Sequence, residues 1–243
     1  MKYKVLKYKE VTSTNTLAMQ MIKEGKAGSG LVLSTDYQTS GKGSGNNIWV
    51  SKKGKNILFS MIISPENIEP SKQFLITQII SLAIVYSLKN IIDDLKIKWP
   101  NDIYAGDKKI GGILIQNTIS LNTIAFSVIG VGINVNQRKF PREIPNPVSI
   151  INIINKTSDR DKLLHAILKN FDEIYRLSID NQKEINAEYL KHLYRYNIFA
   201  GYKSGEKTFT AKITGITQYG QLVTEDIYGK ERIFNFKEVT FIN

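Results

Sequence analysis

The stretch KWPNDIYAGDKKIGGIL, residues 98–114 of the 243-residue chain, limits the fold more narrowly than any other segment. Pro100 biases Trp99 towards extended backbone, so the first residues of the stretch are expected to form a strand that ends at the edge of a sheet. An Ala-Gly-Asp-Lys turn and a second apolar run follow, and this order predicts a β-hairpin. The return strand brings Lys109 back to the sheet edge at which Asp102 stands.

Three lysines can converge on this edge. Lys98 and Lys109 belong to the hairpin, and Lys42 belongs to a glycine-rich loop earlier in the chain. Together with the carboxylate of Asp102 they would suit a substrate that carries both a carboxylate and phosphates. An ordinary hairpin with solvated lysines fits the spacing equally well, so both interpretations stay open at this point.

Strands and helices alternate on both sides of the hairpin. Strands are predicted at 4–11, 30–38, 56–63 and 124–135, and helices at about 14–25, 70–94, 159–179 and 182–196. From residue 198 the chain changes to short strands at 209–217, 221–225, 231–234 and 239–241. The sequence therefore predicts an α/β (α+β) domain over 1–197 and a small β-barrel over 198–243.

The glycine-rich loop Gly41-Lys-Gly-Ser-Gly45 matches neither common nucleotide motif. No Gly-Lys pair in the chain is followed by Ser or Thr, which excludes a P-loop, and the loop opens no helix, which excludes the dinucleotide fingerprint. Alternating glycines still let backbone N–H groups face an anion closely, and Lys42 adds a charge. A flexible surface loop is the alternative.

The run Ser13-Thr14-Asn15 stands where a strand gives way to a helix. Small polar side chains are the preferred N-caps of helices, and capping alone would explain them. The same three groups could instead hydrogen-bond a small polar head group of a ligand.

Composition excludes several function classes. There is no cysteine and there are only two histidines, so thiol chemistry and Cys- or His-rich metal centres are excluded, and no protein-built metal site is expected. The net charge of +11 suggests an anionic partner. The basic residues are scattered, however, so nucleic-acid binding is not expected. No signal peptide or bilayer-spanning segment is evident, which predicts a cytoplasmic protein without membrane contact.

Six segments, taken in order, resemble the motif series of biotin–protein ligases over roughly residues 10–137. They are 13–15, 37–49, 54–60, 98–102, 109–114 and 130–136. KWPND followed by KIGGIL is the most specific of them. Lipoate–protein ligases share the fold, but their Arg-Arg-x-Ser-Gly-Gly-Gly signature is missing from this sequence. The resemblance implies a mixed-sheet catalytic domain of the biotin/lipoate ligase type with a C-terminal Src-homology-3-like barrel.

The resemblance also implies a two-step reaction and its residues. Biotin and ATP, with Mg²⁺ carried by the ATP phosphates, give biotinyl-5′-AMP, and a lysine of a biotin carboxyl carrier protein then takes the biotin. The implied catalytic residues are Lys109 and Asp102. The implied biotin-binding residues are Ser13, Thr14, Asn15, Gln38, Gly41, Lys42, Gly43, Ser44, Lys109, Gly112 and Ile113. The implied ATP- or adenylate-binding residues are Lys42, Ser44, Trp49, Lys98, Asn101 and Asn134.

Two departures from the family pattern qualify these expectations. The family loop is usually Gly-Arg-Gly-Arg, whereas Lys42 here keeps a charge without the bidentate fork and Ser44 has no charge. The motifs begin at Ser13, which predicts a ligase without an N-terminal helix-turn-helix repressor domain. A lipoate or octanoate ligase or transferase of the same fold and, less readily, a basic nucleic-acid-binding module remain alternatives. The sequence is compatible with a monomer or a homodimer.

Overall fold

A seven-stranded mixed sheet carries the larger part of the chain in the computed structural model, which describes residues 2–66 and 68–242. Its strands are β1 Lys4–Tyr8, β2 Leu31–Thr35, β3 Ile57–Ile63, β4 Leu95–Lys98, β5 Asp102–Ala105, β6 Lys108–Ser120 and β7 Thr123–Ile133. They lie in the order β1-β2-β3-β7-β6-β5-β4. Strands β1 and β2 are parallel and every other neighbouring pair is antiparallel.

Alternation along the central strands produces two apolar faces. On one face, Leu33, Ile62 and Val128 pack with Ala18 of helix α1, Thr14–Lys23. Helix α1 covers only part of this face. Beyond the N-terminus of α1, small residues form the surface of the sheet. This uncovered part of the sheet lines the candidate site.

The opposite face is covered by a layer of helices. These are a 3-10 turn Pro70–Lys72, α2 Phe74–Leu88, α3 Ile150–Ile154, α4 Arg160–Ser178 and α5 Gln182–Lys191. Within the described residues, the segment Pro70–Leu88 is the one helix long and apolar enough to cross a membrane. However, 72% of its apolar window is buried inside the fold, because α2 packs against α4, α5 and the sheet.

The C-terminal residues form a five-stranded antiparallel sheet. Its strands are β8 Ala200–Ser204, β9 Lys207–Ile216, β10 Leu222–Asp226, β11 Glu231–Phe234 and β12 Thr240–Phe241, in the order β11-β10-β9-β8-β12. The predicted class, a mixed α/β unit followed by a small antiparallel one, is confirmed. The sheet is not closed into a hydrogen-bonded barrel within residues 2–66 and 68–242, since β11 and β12 stay edges.

The two parts share a continuous core rather than a thin linker. Trp99 Nε1 donates a 2.9 Å hydrogen bond to the Gly220 carbonyl, and the rings of Trp99 and Phe236 are 5.3 Å apart. Phe74 of α2 also contacts Phe236 at 6.5 Å. The division at residue 197/198 stays a prediction, but the C-terminal sheet is packed firmly onto the larger one.

Several elements differ from the sequence-based expectations; helix α5, for example, ends at Lys191 rather than near residue 196. Helix α2 ends at Leu88 rather than near residue 94, because the chain must turn there to bury Ile92 and start β4. Helix α3 was not predicted, since five residues are too few to show a helical period. Strand β8 was not predicted either, because Ala-Gly-Tyr-Lys-Ser has no β-branched residue and its pairing with β9 uses backbone groups.

Candidate active site

A cavity of about 130 Å³ opens on the α1 face of the large sheet, beyond the start of α1. Five parts of the chain line it: the α1 N-terminus, residues 38–49 with the glycine-rich loop, β3, the β5–β6 hairpin and β7. Its lining residues are Ser13, Thr14, Asn15, Gln38, Lys42, Gly43, Ser44, Asn47, Ile48, Trp49, Phe59, Asn101, Asp102, Lys109, Gly112, Ile113, Leu114, Gly130, Val131 and Gly132. Most of the residues expected from the sequence to bind ligand therefore share one cavity.

A buried polar cluster forms one end of this cavity. The backbone N–H and the hydroxyl of Thr14 donate to Gln38 Oε1, at 2.8 and 3.1 Å. The hydroxyl of Ser60 lies 2.7 Å from Thr14 Oγ1 and 2.6 Å from Asn15 Oδ1. Asn15 Nδ2 in turn donates to Gln116 Oε1 at 3.0 Å. Such a network holds amide and hydroxyl groups in fixed directions, so it can recognise a small polar ring.

Local structure explains how these side chains reach one point. Ser13 is the N-cap of α1 and accepts a hydrogen bond from the Thr16 N–H, which fixes the helix start against the sheet. Gly130 provides the space for Asn15, because a Cβ there would lie 2.2 Å from Asn15 Oδ1. In β3, Ser60 faces the same side and pairs in register with Gly130.

An ion pair stands on the cavity wall. Lys109 Nζ lies 2.7 Å from Asp102 Oδ1, and the two side chains are 32% and 24% exposed. Asn101 holds the neighbouring backbone, since its carbonyl accepts from the Ile113 N–H at 2.9 Å. The hairpin thus brings together the lysine and the carboxylate that the sequence placed on one sheet edge.

Trp49 covers part of the cavity floor. A Cβ on Gly132 would lie 2.4 Å from Trp49 Cε2, and a Cβ on Gly112 would lie 3.1 Å from Trp49 Cζ3. The indole therefore packs directly on two glycines of β6 and β7. Its Nε1–H is buried without a hydrogen-bond partner among the described residues, and Lys109 Nζ lies 5.8 Å from the ring centroid.

Two predicted site residues lie at the margin of the cavity. Gly41 anchors the loop, because its carbonyl accepts from the Trp49 N–H at 2.9 Å. Asn134 lines an adjacent cavity of about 310 Å³ together with Trp49, Lys109 and Phe140. Its amide donates to the Val148 carbonyl at 3.0 Å.

Lys98 lies away from both cavities. Its ammonium donates to the Tyr104 hydroxyl at 3.0 Å and stands 5.0 Å from the ring centroid of Phe241 in β12. Burial lowers the pKa of Lys98 and raises the pKa of Tyr104 to about 12. The structure thus places Lys98 among aromatic rings and outside the lining of either cavity, although it is the register partner of Asp102 across β4 and β5.

Seven cavity residues, and Ser60 beside the cavity, were not assigned a role from the sequence. They are Asn47, Ile48, Phe59, Ser60, Leu114, Gly130, Val131 and Gly132. Gly130 and Gly132 gave a usable signal, because two glycines on one face of a buried strand mark a close approach. Ser60 gave only a weak one, as a polar residue within the apolar run of β3.

The fold is that of protein ligases that use biotin. The structure of the biotin protein ligase from Aquifex aeolicus in complex with biotin and ATP matches with a TM-score of 0.80, at 26% identity and over 98% of both chains. The family model described as the biotin/lipoate A/B protein ligase family matches residues 8–134. The chain belongs to this family, and it is a ligase enzyme.

Two relatives agree with this placement. The bifunctional ligase/repressor BirA of Bacillus subtilis is 28% identical over 94% of this chain and 71% of its own length. Biotin–protein ligase 2 of Arabidopsis thaliana is 31% identical, over 70% of this chain and 52% of its own length. The similarity to the plant protein thus spans about half of that relative.

Proposed function

We propose that this enzyme activates biotin with ATP to biotinyl-5′-AMP and transfers the biotin to a lysine of a biotin carboxyl carrier protein. The observation that carries the proposal is one cavity with a buried amide and hydroxyl cluster at one end and the Lys109–Asp102 pair on its wall. The cluster of Thr14, Asn15 and Gln38 suits the ureido ring of biotin, which both donates and accepts hydrogen bonds.

The first step brings together two anions that repel each other, and Lys109 can reduce that repulsion. A carboxylate oxygen of biotin attacks the α-phosphorus of ATP, and the bond to pyrophosphate breaks. Lys109, on the cavity wall, can neutralise the repulsion between carboxylate and phosphate and fix their approach. Trp49 has a buried N–H without a partner among the described residues, so an acceptor on bound nucleotide would satisfy it.

The second step forms an amide. The amine of the carrier lysine attacks the acyl carbon of the adenylate, the carbon–nitrogen bond forms, AMP leaves, and the amine loses a proton. Asp102, the carboxylate of the cavity lining among the described residues, would accept that proton. Lys42, Gly43 and Ser44 belong to the loop that would cover the adenylate and exclude water.

Mg²⁺ would enter with the nucleotide rather than through a site built by the protein. Within residues 2–66 and 68–242 there is no group of three or more His, Cys, Asp or Glu side chains that could hold a metal ion. Mg²⁺ characteristically binds substrate phosphates with few protein ligands. A cavity whose lining contains the carboxylate of Asp102 therefore fits an ion that is held mainly by phosphate. Its contribution would be charge neutralisation on the phosphates.

Labelling of a purified carrier domain tests the proposal. With radioactive biotin, label should appear on the carrier only when ATP is present, and a carrier whose acceptor lysine is changed to arginine should stay unlabelled. Labelling by lipoate or octanoate instead of biotin would favour the related ligases, and labelling from a preformed acyl carrier without ATP would favour a transferase. Either result would overturn the assignment of biotin.

A further inference from the structure

The cavity holds few cations for the substrates proposed above. Its lining includes two lysines, Lys42 and Lys109, and Lys109 is already paired with Asp102. Ser44, at the same loop, contributes no charge. A polyphosphate and a carboxylate together would therefore outnumber the positive groups that line the cavity.

Lys237, in the turn between β11 and β12, contacts this loop. A Cβ built on Gly45 would lie 2.6 Å from Lys237 Nζ and 3.1 Å from Lys237 Cε. The ammonium of Lys237 thus rests against the loop backbone, one residue beyond Ser44. It makes no ion pair in the part of the chain that the structure describes, so its charge is available to an anion.

The backbone that carries Lys237 is fixed to the larger sheet. The preceding residue, Phe236, packs its ring on Trp99 at 5.3 Å. The following residue, Glu238, accepts a 2.7 Å hydrogen bond from the Asn235 N–H. Lys237 itself has φ of 69°, a conformation that a non-glycine residue adopts only where its surroundings impose it. The turn therefore fixes the backbone position from which the Lys237 side chain extends to the loop.

Lysines closer in sequence do not fill the same position. Lys52, Lys53 and Lys55 follow the loop directly, and like Lys237 they do not line the cavity, but the atoms nearest to a Cβ on Gly45 belong to Lys237. Lys53 is instead directed to Glu10, with Nζ 3.5 Å from its carboxylate. The C-terminal sheet supplies the cation that the neighbouring sequence does not.

We propose that Lys237 completes the anion-binding loop, by placing its ammonium beside Ser44 and Gly45 to hold the phosphate groups of ATP and of the bound adenylate. This assignment rests on the proposed function, since it names the phosphate-bearing substrate of that same cavity. It makes the C-terminal sheet part of the substrate site as well as part of the core.

Substitution by methionine removes the charge and keeps the stem. In full-length protein, Lys237→Met should raise the KM for ATP in biotin-dependent pyrophosphate release about ten-fold or more, as expected for one lost charge-assisted contact. It should also release labelled biotinyl-5′-AMP faster by a similar factor. The matched control is Lys230→Met, an exposed lysine of the same sheet with the same charge loss, which should leave both quantities unchanged.

A double variant separates charge from structure. Adding Ser44→Arg to Lys237→Met should restore tight ATP binding, which a purely structural role of Lys237 would not allow. Unchanged KM and release in Lys237→Met would overturn the assignment. If the wild type shows no biotin-dependent pyrophosphate release, the proposed function fails separately. Binding of a fluorescent ATP analogue then tests the role of Lys237 by itself. Equal affinity of the wild type and Lys237→Met for the analogue would overturn that role.

Discussion

Lys109 and Asp102 meet across the β5–β6 hairpin, with Lys109 Nζ 2.7 Å from Asp102 Oδ1, although they are not register partners. Asp102 pairs with Gly112, and Lys109 pairs with Tyr104 beyond a register shift. The lysine stem crosses the glycine to reach the carboxylate, because a Cβ on Gly112 would lie 3.4 Å from Lys109 Cε. A Cβ at Gly112 would thus be in ordinary contact with the lysine stem, and the group that it would crowd is the Trp49 ring, at 3.1 Å.

Lys109→Ala should remove adenylate formation and leave the protein folded. Loss of one preorganised cation at the reacting centre should lower biotin-dependent pyrophosphate release by about 100-fold or more. The pair is partly exposed, so its loss should change the free energy of unfolding by only about 1 kcal/mol. Pyrophosphate release and a thermal melt measure the two effects.

Lys108→Ala is the control for that variant. Lys108 is the adjacent, exposed residue of the same hairpin, so its removal tests charge and hairpin stability without touching the cavity. Near-normal release by Lys109→Ala would remove Lys109 from the chemical step.

Asp102→Asn should separate the two half-reactions. The amide keeps the size of the carboxylate but cannot take a proton from the attacking lysine, so transfer to the carrier should slow by about 100-fold. Adenylation should fall by less than about ten-fold, since Lys109 stays in place. Single-turnover assays of each step check this. Equal losses in both steps would mean that Asp102 acts by positioning Lys109 and not as a base.

Ser60→Ala should weaken biotin binding although Ser60 does not line the cavity. Its hydroxyl is buried and lies within 2.7 Å of Thr14 Oγ1 and Asn15 Oδ1. Without it, both groups lose a fixed partner, which costs about 1–3 kcal/mol in a buried network. The KM for biotin should rise several-fold or more, and kcat should change little.

Ser127→Ala is the matched control for Ser60→Ala. Ser127 is a buried serine on β7 whose hydroxyl donates to Asn117 Oδ1 at 2.6 Å, outside the cavity. The control should lower the melting temperature and leave the KM for biotin unchanged. A similar KM in the two variants would show that Ser60 serves stability alone.

Removal of residues 199–243 should destabilise the whole protein. Trp99 would lose both the Gly220 carbonyl and the Phe236 ring, and Phe74 would lose its cover. Each large apolar side chain returned to water costs about 1.5–3 kcal/mol, a substantial fraction of the roughly 5–15 kcal/mol that holds a domain folded. Calorimetry should show a clearly lower melting temperature than for the point variant Tyr228→Ala, whose ring is 88% exposed. A truncated chain with wild-type stability and activity would show that the tail is dispensable.

The sequence by itself determined the features that depend on near neighbours. The hairpin, the approach of Lys109 to Asp102 and the cap at Ser13 follow from turn residues, strand alternation and capping preferences, which act over a few positions. The order of the motifs also predicted the family, which the match over residues 8–134 confirms.

Only the tertiary structure decided which distant residues share a surface. The alternation of side chains along β3 predicts that Ser60 and Leu58 lie on the same face of the sheet. It does not predict that α1 and the cavity lie on that face. The same limit applies to Lys98. The hairpin pattern allowed its side chain to face the cavity, whereas the packing of β12 places it among aromatic rings. Lys237 meets Gly45 because the C-terminal sheet docks beside the loop. The physical reason is that such contacts depend on how whole layers pack, and the side-chain pattern of a single strand or turn carries no information about the element that will cover it.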